Sequence, residues 1–174
     1  MTLTAVFAAL YTVINVVQMV TVGNPTIYGP VQLRIADALI PLAALFGWPV
    51  IGGVTIGCFV TNAYYSASPI DVVFGSIANF VAAYLILLLR KRRLLACVVG
   101  SLPIGLIVGG YLWLLFPPPE IFSTAPAWLA SIASITISSL IAVAVIGYAL
   151  LLVFSRSGII EPLKSRGLKV VEEK

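Results

Sequence analysis

The feature that most limits the fold of this chain is the nearly unbroken apolar sequence between Leu3 and Phe154. Hydrophobic residues make up 61% and charged residues 9% of the 174 residues, and the mean hydropathy is +1.13. This composition is typical of integral membrane proteins. Because a spanning helix needs roughly 20 apolar residues, the length allows about six spans with short connections and no separate soluble domain.

Glycine, proline and polar residues divide the apolar sequence into six predicted spans. Their approximate bounds are 2–22, 34–47, 50–65, 69–89, 94–116 and 127–154. The second and third spans are short, and a single helix kinked at Pro49 would reduce the count to five. We expect an all-α, six-helix membrane domain over residues 1–155 and a short, charged, loosely ordered tail over 156–174.

The basic residues predict the orientation of the chain in the membrane. They are concentrated in two runs, Arg90–Arg93 and Arg156–Lys174. The positive-inside rule places both runs in the cytoplasm, and with six spans the N-terminus lies there too. We therefore predict a multi-pass plasma-membrane protein with both termini cytoplasmic. The same runs fit membrane anchoring better than nucleic-acid binding, so no nucleic-acid partner is expected.

Several classes of function lack their usual sequence features here. The chain has no histidine and no glycine-rich loop ending in Gly-Lys-Ser/Thr, so it does not hydrolyse a nucleotide by that route. Cys58 and Cys97 lie in apolar segments, where a thiol usually packs as a small hydrophobic group. Since no nucleophile–base pair or metal cluster is recognisable, we predict no catalytic residue, no bound metal, no cofactor in this chain and no enzymatic activity.

Four strongly polar side chains interrupt the apolar sequence between Tyr28 and Asn79. They are Gln32, Arg34, Asp37 and Asp71. An ionisable group at membrane depth is costly and indicates a functional site by default. The alternative is structural, because Arg34 and Asp37 are spaced to pair on one helical face and Asp71 lies in a first helical turn, after Ser68 and Pro69.

Three of the spans carry faces that suggest packing or binding. The fourth span has a polar face at four-residue spacing, formed by Asp71, Gly75 and Asn79. The first span has a polar stripe of Tyr11, Asn15 and Gln18 and a small-residue stripe of Ala5, Ala9 and Thr12. The third has Gly53 and Gly57 followed by Thr61. Small residues let another helix approach closely, either from the chain itself or from a partner.

Three segments together resemble the QueT family. They are GPVQLRIADALIP from Gly29, IGGVTIGCFVTN from Ile51, and PIDVVFGSIAN from Pro69, with YLILLLRKRR following. The resemblance covers Gly29 to about Arg93 in family order and spacing, whereas the remainder agrees in hydrophobic layout only. One departure is Asp37, which stands where the family pattern has glutamate and is shorter by one methylene.

The resemblance implies the substrate-binding S-component of an energy-coupling factor (ECF) transporter for queuosine precursors. Such a protein binds a 7-deazaguanine, such as preQ0 or preQ1, from outside. It docks on a transmembrane coupling subunit with two ATPase subunits, which use the ATP. In this context Ala5 and Ala9 are expected to face the coupling subunit.

The chemistry of a guanine-like ring indicates which residues would bind it. One ring edge offers an N–H and an amino group, which a carboxylate of Asp71 or Asp37 accepts, and a carbonyl beside them needs a donor. The expected substrate-binding residues are Gln32, Arg34, Asp37, Asn62, Asp71, Asn79, Asn15, Gln18 and Tyr28. Tyr64 or Tyr65 could also stack on the ring.

Other functions fit parts of the sequence. An S-component for a different vitamin-sized ligand would have the same fold. A stand-alone carrier or channel would need a relay of acids through the bundle, and few acids lie at depth here. A purely structural membrane protein would have little use for charges in its interior.

Overall fold

The computed structural model describes residues 2–22, 32–65, 68–117, 119–122, 124–165, 167 and 170–171. These residues contain seven helices and no strand. The helices are α1 (Thr2–Val22), α2 (Ile35–Phe46), α3 (Trp48–Tyr65), α4 (Pro69–Leu88), α5 (Arg93–Leu112), α6 (Ala127–Phe154) and α7 (Ser157–Ser165). A short 3₁₀ turn, Glu120–Phe122, lies between α5 and α6. The predicted all-α membrane architecture is confirmed.

Four of the described helices, α1, α4, α5 and α6, are long and apolar enough to cross a membrane. In contrast, α2 has eight residues in 3₁₀ geometry and four in α geometry. Such a helix rises about 22 Å, less than the roughly 30 Å of a hydrocarbon core. The 18 residues of α3 include glycines and polar residues and do not reach the same apolar level. The count of six spans is therefore not confirmed.

Gly47 separates α2 from α3 and interrupts the helical backbone there. This residue has a φ of 64°, a backbone conformation that glycine adopts readily and other residues rarely do. Pro49 is the second residue of α3, close to the helix start where its fixed φ is compatible with the helix. The alternative of one helix kinked at Pro49 is thus wrong, because the break precedes the proline.

Most of the predicted helix ends agree with the structure. The bounds of α1 and α6 are as predicted, and α4 begins at Pro69 with Ser68 in the extended N-cap conformation. The α6 helix contains a π-helical segment, Leu140–Gly147, which the sequence did not indicate. Pro103 lies inside α5.

The charged tail was predicted to be loosely ordered, but part of it is helical. Residues Ser157–Ser165 form α7, and further along the backbone N–H of Val171 donates to the carbonyl of Leu45, at 2.7 Å. The tail therefore includes regular structure and packs back on the end of α2.

The core of the bundle lies around α2. Every residue of this helix after Ile35 is buried, and the helix is enclosed by α1, α3, α4 and α6. The π-helical segment of α6 approaches it closely, since a Cβ added at Gly147 would lie 2.7 Å from Pro41 Cγ. Apart from the exposed Ile35, the side chains of α2 are consequently directed into the protein rather than toward lipid.

The α1 helix reaches this core through close contact with the glycine face of α3, which the sequence had predicted only as a close-packing face. A Cβ added at Gly57 would lie 2.7 Å from Tyr11 Cβ and 2.9 Å from the carbonyl oxygen of Ala8. Gly53 meets Phe7 in the same way, one turn earlier. Because no other residue fits at these positions, the two glycines set the distance between α1 and the core.

This contact predicts that Gly57→Ala destabilises the protein. The added methyl has to push α1 outward, at a cost of about 1–3 kcal/mol. The matched control is Gly110→Ala, since nothing lies within 4 Å of a Cβ there. Thermal unfolding in detergent should show a lower midpoint for Gly57→Ala than for Gly110→Ala. Equal midpoints would contradict the close approach of α1.

Candidate substrate-binding site

The polar side chains predicted from the sequence converge at the N-terminal end of α2. Gln32, Arg34 and Asp37 are 6%, 7% and 4% exposed. The backbone at Arg34 is extended, and the 3₁₀ helix begins at the next residue. The buried position of α2 thus carries three strongly polar groups into an apolar interior, where each needs partners.

Arg34 finds its ion-pair partner in Asp71 at the start of α4. The Nη2–Oδ2 distance is 3.5 Å, and both side chains are buried. Arg34 also donates to the side-chain oxygens of Gln32, at 3.1 Å, and Asn62, at 3.3 Å. The three-residue spacing to Asp37 gave no indication of this pairing, which joins α3 and α4 to the start of α2.

Two further side chains hold Asp71 in place. The Tyr111 hydroxyl of α5 donates to Asp71 Oδ1 at 2.5 Å, and Asn62 Nδ2 donates to the Asp71 backbone carbonyl at 2.9 Å. Both carboxylate oxygens of Asp71 are therefore engaged by the protein. The charge of Asp71 serves to stabilise Arg34.

Asp37 has a different environment, formed by a chain of hydrogen bonds across the bundle. Asn79 Nδ2 donates to the Tyr11 hydroxyl oxygen at 2.8 Å, and the Tyr11 hydroxyl donates to Asp37 Oδ1 at 2.7 Å. Tyr11 is fully buried. Both bonds run in the same direction, so Asp37 is the final acceptor of the chain and is fixed in orientation by α1.

The α1 helix also forms hydrogen bonds, through Gln18, to the backbone on either side of Arg34. Gln18 Nε2 donates to the Leu33 carbonyl at 2.6 Å, and the Ile35 N–H donates to Gln18 Oε1 at 2.9 Å. Asn15 Nδ2 donates to the carbonyl of Tyr11 in its own helix, at 3.1 Å. These hydrogen bonds of Gln18 and Asn15 run to backbone groups. Gln18 therefore supports the start of α2, and neither side chain lines the cavity.

A narrow cavity lies beside these groups. It is lined by Gln32, Arg34, Asp37, Gly75, Asn79, Ile104, Val108, Ile135 and Ser139. Its polar lining comes from the start of α2, from α4 and from Ser139 of α6, and its aliphatic lining comes from α5 and α6. The free space is of the order of a single water molecule, so a larger ligand requires the walls to move apart.

The side-chain amide of Gln32 offers a hydrogen-bond donor to a ligand in this cavity. Its Oε1 accepts from Arg34, whereas its Nε2 is buried and has no hydrogen-bond partner among the described residues. An amide donor left in this way costs about 1–3 kcal/mol unless something accepts from it. The cavity therefore combines an oriented carboxylate acceptor, Asp37, with a donor at Gln32.

The predicted site residues fall into three groups. Gln32, Arg34, Asp37 and Asn79 line the cavity, Asn62 and Asp71 lie behind Arg34, and Asn15 and Gln18 lie along α1. Tyr28 lies outside the described residues. Tyr64 and Tyr65 line a separate surface cleft with α1. Within the described part of the chain, no group of three or more Cys, Asp or Glu side chains comes together to hold a metal ion.

The sequence did not single out several residues that the structure places at the site. Tyr11 was recognised only as part of a polar stripe, although its spacing to Asn15 and Gln18 was the available signal. Tyr111 is 40 residues from its partner Asp71, so no local spacing could connect them. Ile104, Val108 and Ile135 carry no compositional signal in an apolar chain.

The small-residue stripe of α1 is divided by the structure, because the Thr12 hydroxyl donates to the Gly57 carbonyl of α3 at 3.4 Å, whereas the two alanines lie away from α3. Ala5 and Ala9 are exposed, whereas Thr4, Phe7 and Ala8 contact the glycines of α3. Internal packing of α1 thus uses Thr12 of the predicted stripe but leaves Ala5 and Ala9 exposed.

Comparison with known proteins adds one match to this geometry. The family model described as QueT transporter matches residues 1–156. No curated protein and no solved structure gives a significant match. Because the family match covers well over half of the 174 residues, the chain belongs to the QueT transporter family, and it is a membrane transport protein rather than an enzyme.

Proposed function

We propose that this protein is the S-component of an ECF importer and captures a 7-deazaguanine queuosine precursor. The observation that carries this proposal is the buried cavity in which a fixed carboxylate lies close to an amide donor without a partner. A guanine-like ring presents the complementary groups, an N–H and an amino group beside a carbonyl. Membership of the QueT family supports the same class of substrate.

Within this proposal, Asp37 rather than Asp71 accepts from the ring edge. Asp37 lines the cavity, and the Tyr11 hydroxyl leaves it further acceptor capacity. Asp71 is engaged by Arg34 and Tyr111 and is not part of the cavity wall. Gln32 then donates to the ring carbonyl, and the aliphatic side chains of α5 and α6 cover the flat faces of the ring.

The proposed orientation places this cavity nearer the outer surface. Asp71 lies in the first turn of α4, and the basic run Arg90–Arg93 follows the other end of the same helix. If the basic run is cytoplasmic, the start of α4 faces outward. Both termini are then cytoplasmic, and the substrate enters from outside.

The proposed partner is a transmembrane coupling subunit that carries two ATPase subunits. The exposed stripe of Ala5 and Ala9 supports this assignment, because small side chains allow a second helix to approach closely. Energy then comes from ATP on the partner subunits, and this chain needs no cofactor. The same helix holds Asp37 through Tyr11, so it connects the docking face to the cavity.

Asp37→Asn and Asp71→Asn should have different consequences. Asp37→Asn replaces an acceptor at the ring edge with a donor and should weaken a guanine-type deazapurine such as preQ1 by at least about tenfold. Asp71→Asn removes the counter-charge of Arg34 and should mainly lower the unfolding midpoint. Calorimetry and thermal unfolding of both variants separate these effects.

An adenine-type deazapurine is the ligand control for this experiment. Its amino and ring-nitrogen positions do not match the proposed edge contacts, so it should bind at least about tenfold more weakly than the guanine-type ligand. Full guanine-type affinity in Asp37→Asn, or equal affinity for the two ring types, would rule out edge recognition by Asp37.

Tyr11→Phe tests whether the hydroxyl orients Asp37. The change keeps the ring but leaves Asn79 and Asp37 without their shared partner, which should reduce guanine-type affinity about fivefold to a hundredfold. Tyr84→Phe is the matched control, because it removes the same hydroxyl from an exposed ring. Unchanged affinity in calorimetry of Tyr11→Phe would show that Asp37 needs no such orientation.

The docking face predicts a separation of binding from uptake. Ala5→Leu combined with Ala9→Leu adds bulk to the exposed stripe and should abolish uptake in cells while calorimetry still detects ligand binding. Val17→Leu with Val20→Leu adds exposed bulk at the other end of α1 and should leave uptake intact. Loss of ligand binding in the alanine variant would instead assign the stripe to internal packing.

A further inference from the structure

A second cleft lies at the end of α4 that is remote from the substrate cavity. It is lined by Phe46, Gly47, Trp48, Pro49, Leu87, Arg90, Val170 and Val171. Its volume is about 400 Å³. The walls come from the α2–α3 junction, the end of α4 and the C-terminal segment, and they are almost entirely apolar.

Among the described residues that line this cleft, Arg90 is the one that carries a charge. Its Nε is shielded from solvent and has no hydrogen-bond partner among the described residues. A guanidinium in apolar surroundings needs a counter-charge, and none of the other seven lining residues is acidic. Lys91 and Arg92 follow it with exposed side chains, so three successive basic residues lie at this end of α4.

An aromatic strip leads from the cleft along the outer face of α4. It consists of Trp48, Tyr84 and Phe80, which are 61%, 37% and 40% exposed. The Trp48 ring centroid lies 5.9 Å from that of Tyr84 and 6.5 Å from that of Phe80. Because this face is directed away from the bundle, the strip continues the cleft toward the middle of the membrane.

We propose that the cleft binds the phosphate of an anionic phospholipid and that the aromatic strip receives one of its acyl chains. A phosphate matches the planar guanidinium through paired hydrogen bonds. A soluble anion would account for Arg90 but not for the exposed aromatic strip beside it. The basic run also places this end of α4 at the cytoplasmic leaflet, where anionic lipids are concentrated.

Trp48 provides a direct probe of this site. The chain has three tryptophans, so Trp113→Phe with Trp128→Phe leaves Trp48 as the single one in the full chain. Phosphatidylglycerol with brominated acyl chains, added to dodecylmaltoside micelles, should quench Trp48 with an apparent affinity at least about fivefold higher than brominated phosphatidylcholine. Equal quenching by the two lipids would overturn the proposal.

Two charge variants distinguish a site from general attraction to a basic surface. Arg90→Gln should remove the preference for phosphatidylglycerol, whereas Arg92→Gln, which loses the same charge from an exposed position, should retain most of it. Equal losses in the two variants would assign the effect to net charge and overturn the site. The comparison of the two lipids uses unaltered Arg90 and remains decisive whether or not Arg90→Gln folds.

Two further measurements test whether a lipid, a soluble anion or the tail of the chain fills the cleft. Inorganic phosphate at millimolar concentration should leave the quenching in place, and its loss would assign the cleft to a soluble anion instead. Glu172 and Glu173 follow Val171 in the sequence. If quenching by phosphatidylglycerol occurs only after Glu172→Gln with Glu173→Gln, the cleft belongs to the tail of the chain and the lipid assignment is wrong.

Discussion

The ion pair between Arg34 and Asp71 is the constraint on which the rest of the bundle depends. Both side chains are buried in an apolar interior, where removing one partner of such a pair costs about 3–5 kcal/mol because the other charge is left uncompensated. The pair is held by Asn62 and Tyr111 from two further helices. Four segments, α3, α4, α5 and the start of α2, must therefore meet in one arrangement, which general apolar packing would not specify.

The ion pair also gives the two buried acids different roles, because only Asp71 pairs with Arg34 and only Asp37 lines the cavity. Since Asp71 neutralises Arg34, Asp37 is the acid on the cavity wall and takes its orientation from the Tyr11 hydroxyl. That hydroxyl reaches Asp37 only because Gly57 lets α1 approach α3 closely. The α1 helix thus has an inner face that orients the proposed binding group and an outer face that presents Ala5 and Ala9. A displacement of α1 would act on both faces together.

The sequence predicted what depends on local signals. Proline and serine marked the start of α4, the glycines of α3 marked a close-packing face, and polar residues in apolar surroundings marked the cavity. The 3₁₀ geometry of α2, which four neighbouring helices enclose, was not indicated by any local spacing in the sequence. The partner of Arg34 was not predictable either, since Asp71 is distant in the chain and Asp37 has the spacing that normally indicates a pair.

The length of the side chain at position 37 illustrates how closely these contacts constrain one another. The resemblance to the family implies glutamate there, and one added methylene would extend the carboxylate by about 1.5 Å. The Tyr11 hydroxyl lies 2.7 Å from Asp37, and the free space in the cavity is of the order of one water molecule. A longer acid would therefore either lose its bond to Tyr11 or occupy the space that a ligand needs. Aspartate keeps the carboxylate against α1 and leaves the free space of the cavity open, so the shorter side chain is consistent with the separation set by Gly57.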